Sequence, residues 1–380
     1  MINISKLYCG LSGESDGLRY HNSNSFGPVV VYNCTQRCNL RCLHCYSGSE
    51  TWQRDTELTT GQAKKMLSQL VEVNCPVVLF SGGEPLLRKD IFELLTEAKQ
   101  CGLRTALSTN GTLIDSEVAD KLIKAKVDYV GISIDGAERF HDEFRQAKGS
   151  FMAALTGIAN CKKAGIKTGL RFTITKANAK QVSVIFDIAA SAKVRRICFY
   201  HLIRTGRASQ LSNQTPPPEQ TRKVLDIIVE KTQDFARREL IDEVLTVDNH
   251  ADGPYLLMKM GQENNPRYTE AKKLLLANGG NKIGENIVCV SWDGNVYPDQ
   301  FWRNCSLGNI KDKTFKQIWE NPTEPVLSKL RNKDRFADPR CLKCKWFDLC
   351  KGNYRFLGHI ADDKNWLNEP ACYLTDEEIF

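Results

Sequence analysis

The chain has 380 residues, 42% hydrophobic and 26% charged, enough to bury a large core and to carry more than one domain. Its net charge of +7 is spread along the sequence without a basic block, which argues against a nucleic-acid arm and is compatible with an anionic substrate. Fifteen cysteines, an odd number at uneven spacing, argue against a disulfide framework and point to metal binding or redox chemistry in a reducing compartment.

Residues 1–27 alternate polar and small residues and read as an N-terminal arm without the apolar stretch of a signal peptide. No later run approaches a membrane span, so the expected location is cytoplasmic. From Pro28, six β-branched runs follow: "PVVVYN" (28–33), "PVVLF" (76–80), "LRTALS" (103–108), "DYVGISI" (128–134), "IKTGLRFTIT" (166–175) and "VRRICFY" (194–200). Amphipathic stretches at 59–73, 88–101, 115–125, 150–164 and 179–192 separate them. Strands alternating with helices predict consecutive βαβ units and a parallel sheet, with strands apolar on both faces. Six units rather than eight predict an α/β fold, a partial (β/α)6 TIM-like barrel over 28–205, with its chemistry on loops at the C-terminal strand ends.

The repeat stops at the polar, proline-rich "RTGRASQLSNQTPPPEQ" (204–220). Residues 206–284 read as a helical bridging region, with helices over 219–238 and about 254–277 around "TVDNHADGPY". A small C-terminal domain, 285–380, is expected to open with a hairpin turning at Asp293–Gly294 and to carry a short helix at "TFKQIWENP".

Cys38, Cys42 and Cys45 are spaced C-x3-C-x2-C on the loop after the first strand. Three thiolates can cap three irons of a [4Fe–4S] cube and leave the fourth open for chemistry. A zinc site completed by His44 or Cys34 is the alternative, although no second C-x2-C pair lies nearby. Three further polar loops follow successive strands: "SGGEP" (81–85), "STNG" (108–111) and "SIDG" (133–136). The glycines of the first admit close backbone approach, and Glu84 can accept from a cationic amine. Near the C-terminus, Cys341, Cys344, Cys350 and Cys372 could ligate one centre completely, as a structural zinc or as a cluster. Cys9, Cys34, Cys75, Cys101, Cys161 and Cys198 read as packing residues.

The cysteine motif with these three loops resembles the radical S-adenosylmethionine (SAM) superfamily over about residues 28–205. The resemblance implies that Cys38, Cys42 and Cys45 bind a [4Fe–4S] cluster whose open iron takes SAM. It also implies that Gly82, Gly83, Glu84 and Pro85 hold the SAM amino end, with Ser108, Asn110, Ser133 and Asp135 as further contacts. Arg171 would pair with the SAM carboxylate, and Tyr46 would lie near the adenine. One-electron cleavage of SAM would then free a 5′-deoxyadenosyl radical. His44 is read as a bystander. Beside such a core, the second cysteine set resembles the auxiliary iron–sulfur (SPASM or twitch-like) domains of the family, which favours a second [4Fe–4S] cluster. Asp299 stands where the larger domains place a cysteine, and Cys289 and Cys305 lack a matching ligand set, so one auxiliary cluster is expected.

"GLRFTIT", "CFYHLIRTGRA", "TVDNHADGPY", "CVSWDGNVYPDQFW" and "PACYLTDEE" extend the resemblance to radical SAM proteins of the sirohaem-dependent route to haem and of haem d1 synthesis. This implies a tetrapyrrole substrate, 12,18-didecarboxysiroheme, that loses two acetate side chains, and an external low-potential electron donor. Neither nucleic acid nor a membrane is expected as a partner. The haem d1 homologue is the first alternative and a peptide maturase the second. Arg171, Arg204, Arg207, Arg303 and Arg19 are candidates for the substrate carboxylates. Tyr200, Tyr255, Trp292, Phe301 and Trp302 are candidate aromatic walls, and His201 and His250 could approach the substrate's iron. Asp248, His250 and Asp252 read as a polar turn rather than a metal site. No residue is singled out as a catalytic acid.

Overall fold

The computed structural model describes the chain except for residues 14–15, 21–25, 53–55, 322–324 and 354–370, the last of which lie within the expected C-terminal domain. After a two-residue β1 (Ile2–Asn3), the six β-branched runs form β2 (Val29–Thr35), β3 (Val77–Gly82), β4 (Arg104–Thr109), β5 (Tyr129–Ser133), β6 (Thr168–Ile174) and β7 (Arg196–His201). Each pairs in parallel with the next, in chain order, which is the expected partial barrel. The returning helices start where the sequence supplies caps: Thr59 and Gln62 form a capping box for Thr60–Glu72, and Asp115 caps Ser116–Lys124.

Alternate residues of these strands serve two different surfaces. Val30, Tyr32, Val78, Phe80, Ile132 and Phe172 are buried beneath the helices. Phe199 packs between Phe172 and Phe186, with ring centroids 5.7 and 5.6 Å away. Burial of each such ring is worth about 1.5–3 kcal/mol. The intervening positions face inward, where Leu79, Ala106, Tyr129, Arg171, Cys198 and Tyr200 line one cavity. The expectation of strands apolar on both faces therefore holds for the outer face alone. The inner face carries polar groups because it lines a site.

The sheet continues past both ends of the six-strand core. β8 (Glu243–Val247) runs parallel to β7, and β1 is antiparallel to β8. On the other side β9 (Ile287–Val290) runs parallel to β2, followed by β10 (Asn295–Tyr297) and β11 (Gly308–Asn309) in antiparallel order. The hairpin turns at Asp293–Gly294 as expected, where Gly294 has φ 91°. The eleven strands of the described residues form one sheet, so the arm, the core and the C-terminal domain share backbone hydrogen bonds across the limits drawn from composition. The bridging region is not purely helical: its "EVLTV" run is the fully buried β8. The helix expected over 254–277 is two, Asp252–Gln262 and Tyr268–Asn278, divided before Pro266, which cannot continue a helix. A short helix, Glu138–Arg145, was not expected at all. Among the described residues no helix is long and apolar enough to cross a membrane.

Candidate active site

The cysteine loop leaves β2 at the C-terminal mouth of the barrel and is held there from several sides. The amides of Gly83 and Glu84 donate to Thr35 O at 2.7 Å and Arg37 O at 2.8 Å. The amide of Leu43 donates to Phe144 O at 3.0 Å, from the short helix. Arg207 Nε donates to Cys42 O at 3.0 Å, and its amide donates to Cys45 O at 2.9 Å. Arg207 thus clamps the loop's carbonyls.

The three thiols interact electrostatically. Burial pushes Cys38 up to about 12, and the charges of Glu84, Cys42 and Cys45 add to the rise. Burial pushes Cys42 up to about 11 against the pull of Arg145, whose Nη1 is 3.8 Å from the sulfur. For Cys45, burial is outweighed by the hydrogen bond with Ser47 and the charge of Arg207, so it lies below the usual thiol range. Loading iron must therefore displace protons from Cys38 and Cys42. Three thiols on one short loop fit a cube with one open corner. His44 stacks on Phe144 at 4.5 Å, and burial lowers it to about 4, so it is neutral where it meets Asp135 at 3.5 Å.

The strand-end loops are bound to one another as well as to the cysteine loop. Glu84 is fully buried and accepts from Thr109 Oγ1 at 2.7 Å, the Asn110 amide at 2.8 Å and the Leu86 amide at 3.2 Å. Its carboxylate therefore fastens the β3 loop to the β4 loop. Asn110 Nδ2 donates to Asn39 Oδ1 at 2.9 Å, joining the β4 loop to the cysteine loop. Asp135 Oδ2 accepts from Arg145 Nε at 2.8 Å and Nη2 at 2.7 Å, and both side chains are buried. Asp135 and Asn110 thus serve as struts. Pro85 opens a short 3-10 turn beside Gly82 and Gly83. Ser108, Ser133 and Arg171 share the inner face, with Ser133 paired in register with Arg171. Tyr46 donates to Asn33 Oδ1 at 3.0 Å, pairs with Ser81 Oγ at 3.0 Å, and meets Phe301 edge-on at 5.2 Å. Arg145 and Thr109 were missed; the "HDEFR" run reads as a solvated helix face until its packing partner is known.

Gly83 can be no other residue at this junction. A Cβ there would stand 2.1 Å from Arg37 O, a backbone atom. Gly83→Ala is expected to force the loops apart at an overpacking cost of about 1–3 kcal/mol. SAM binding should weaken roughly tenfold in anaerobic calorimetry while iron content is retained.

Inside the barrel is a cavity of about 340 Å³. Gly131 and Gly169 make room for it: a Cβ at Gly169 would stand 2.2 Å from Tyr129 Oη, and one at Gly131 2.8 Å from Arg171 Cδ. Arg171 stacks over Tyr200 at 4.6 Å and has no ion-pair partner among the described residues. Arg19 also lines the cavity but is bonded to Glu243. Phe301, Asp248, His250 and Asp299 close the mouth end. Burial and the charge of Asp299 push Asp248 up to about 7. Asp299 itself accepts from the amides of Phe301 at 2.7 Å and Trp302 at 3.2 Å.

Several expected walls lie elsewhere. Tyr255 bonds Asp226 at 3.0 Å and packs on Tyr373, Trp302 is a core residue, and Trp292 stacks under Arg303 at 4.1 Å. Arg204 does not line the cavity. His201 Nε2 is 2.9 Å from Asp252, so it is a hydrogen-bonded histidine.

Cys341, Cys344, Cys350 and Cys372 line one small space of about 30 Å³, with Ala251 and Pro254 at its wall. Arg340 Nη1 donates to Cys372 Sγ at 3.5 Å, and the Trp346 amide to Cys344 Sγ at 3.4 Å. Four thiols around one enclosure fit a fully protein-ligated cluster. Cys289 lies apart, buried with Val31 and Tyr297 and 3.5 Å from Asn33 Nδ2. Burial pushes Cys34, Cys75 and Cys161 up to about 12, as suits packing residues.

Three thiols that can leave one iron of a cube open, on a loop at a partial-barrel mouth, are the equipment for cleaving SAM by one electron, and four further thiols enclose a second site. Residues 32–187 match the radical SAM superfamily and residues 282–345 the SPASM iron–sulfur cluster-binding domain, and the chain belongs to the radical SAM family. It binds SAM at the first cluster and carries an auxiliary cluster. It is 46% identical to Fe-coproporphyrin III synthase of Methanosarcina barkeri over 100% of this chain and 99% of that protein. Pre-heme d1 synthase of Dinoroseobacter shibae is 36% identical over 92% of this chain and 87% of its own. Among solved structures, SuiB of Streptococcus suis bound to S-adenosylmethionine has a TM-score of 0.71 at 17% identity. It covers 94% of this chain and 80% of that one, a likeness of fold alone.

Proposed function

We propose that this chain removes the two acetate side chains of 12,18-didecarboxysiroheme and releases Fe-coproporphyrin III. The end-to-end similarity to the Methanosarcina synthase carries this reading, since it extends through the lumen residues and the auxiliary domain as well as the SAM core. When bound, the first cluster and SAM supply a 5′-deoxyadenosyl radical. This chain's residues hold and orient the reactants. Gly82, Gly83 and Pro85 form the SAM cradle, with Tyr46, Ser108 and Ser133 at its rim. Arg171, held flat by Tyr200, offers its guanidinium to a carboxylate inside the lumen. Asp248 retains a proton at neutral pH in part, and can donate to a substrate carboxylate rather than repel it. An external low-potential donor supplies electrons.

Anaerobic incubation with 12,18-didecarboxysiroheme, SAM and a one-electron reductant is expected to give macrocycle masses lower by one and then two acetate side chains. Each loss should consume one SAM. An unchanged macrocycle beside rapid SAM cleavage overturns the reading. Loss of other side chains assigns the chain to the haem d1 branch instead.

A further inference from the structure

The auxiliary thiols and the end of β7 are linked by a buried polar bridge. Tyr373 follows the cluster ligand Cys372, and its hydroxyl donates to Asp252 Oδ1 at 2.8 Å. The other carboxylate oxygen, Asp252 Oδ2, lies 2.9 Å from His201 Nε2. His201 ends β7 directly after Tyr200, which lines the lumen cavity. Asp252 is fully buried and begins the helix Asp252–Gln262, whose residue Pro254, with the preceding Ala251, lines the auxiliary cavity. From Cys372 to His201, the path is one peptide unit, Tyr373, the Asp252 carboxylate and two hydrogen bonds.

A buried carboxylate is costly unless both oxygens are satisfied, and here the two oxygens serve opposite sites. Burial alone would lower His201; the charge of Asp252 and its hydrogen bond, with a further contribution from Asp248, outweigh it and raise His201 above its ordinary value. His250 also lies close enough to feel the charge of His201. Tyr373 is flanked by Arg222 and Tyr255, and its hydroxyl bridges as a donor to Asp252. A charge added at the auxiliary site is therefore felt through Asp252 by a histidine that can change its own charge.

We propose that the Tyr373–Asp252–His201 bridge couples electron uptake at the auxiliary cluster to proton uptake at His201. One electron arrives from a one-electron reductant and one proton from solvent, to which the His201 side chain is 10% exposed, so the added negative and positive charges balance across Asp252. These three are positioning residues. The coupling rests on the auxiliary cluster and not on the identity of the macrocycle, so a failed substrate assay leaves it standing.

The test is an EPR-monitored reductive titration of the full-length holoenzyme at several pH values, with SAM added so that the first cluster is recognised by its spectral change. In the wild type, the auxiliary reduction equilibrium should shift tenfold per pH unit, about 59 mV, across the range in which His201 titrates. Tyr373→Phe keeps the ring and removes only the hydroxyl, and should abolish this slope. His201→Gln, remote from the thiols, should abolish it with iron content unchanged. Asp252→Asn should abolish it and also raise the potential, because a buried negative charge is lost. A pH-independent wild-type potential, or an unaltered slope in His201→Gln, overturns the proposal. A merely structural bridge would change stability in these variants and leave the slope in place.

Discussion

Cys42→Ala is expected to lower the iron content of the reconstituted chain from about eight to about four per molecule and to reduce SAM cleavage to background. The thiol sits at the centre of the loop's restraints, 3.8 Å from Arg145 and with its own carbonyl held by Arg207. With two protein ligands in place of three, the cube has no stable seat and SAM no open iron to bind. Cys344→Ala removes a ligand of the enclosed auxiliary site instead. It should also lose about four irons while retaining SAM cleavage. Iron analysis and 5′-deoxyadenosine formation, measured together, distinguish the two sites. Full iron loading in Cys42→Ala would refute the ligand assignment.

The second large effect is expected at Arg145→Ala. Asp135 and Arg145 are both buried, and removing one partner of such a pair costs about 3–5 kcal/mol because the other charge is left without compensation. The helix carrying Arg145 also holds the Leu43 amide, so the loss is transmitted to the cysteine loop. Anaerobic thermal unfolding of the holoprotein should show the drop, and the double variant Arg145→Leu/Asp135→Asn should recover much of it. The pH dependence has a definite sign. Burial alone would raise Asp135, but Arg145 and the neighbouring histidines outweigh it and hold the carboxyl below its ordinary range. Its stabilisation is thus present above the usual carboxylate pKa and fades as pH falls through the depressed value. In Arg145→Ala the carboxyl rises and is protonated sooner, so the gap between variant and wild type should narrow in acid. A gap that widens in acid would contradict this assignment.

Much of the core was legible because its signals are local. Six β-branched runs separated by amphipathic helices became six parallel strands, since period-2 burial and helix caps are written within a few residues. β8 was missed because five residues of "EVLTV" carry little pattern of their own. They become a strand only when β7 offers an edge. The helix Glu138–Arg145 was missed for the same reason: charged residues dominate it, and Arg145 reads as exposed until Asp135 is brought against it. Site residues divide similarly. The cysteines keep their expected groups, whereas Glu84, Asn110 and Asp135 turn out to bind loops to one another. A carboxylate or amide in a turn gives no sign in sequence of whether its partner will be a ligand or a neighbouring amide.

What the sequence determined alone was the chemistry available: seven thiols in two spacings, a glycine-rich loop where backbones must touch, and a barrel repeat that sets all the strand-end loops at one mouth. Covalent spacing governs how many thiols a short loop can present, so this much needs no tertiary contact. Only the tertiary structure decided which charges are spoken for. Arg19 and Arg207 are bound by protein groups, Arg171 keeps a guanidinium for the lumen, and Asp252 is shared between His201, 51 residues before it, and Tyr373, 121 residues after it. Those outcomes depend on distance and burial between segments far apart in sequence, where the strength of a charge is set by what surrounds it.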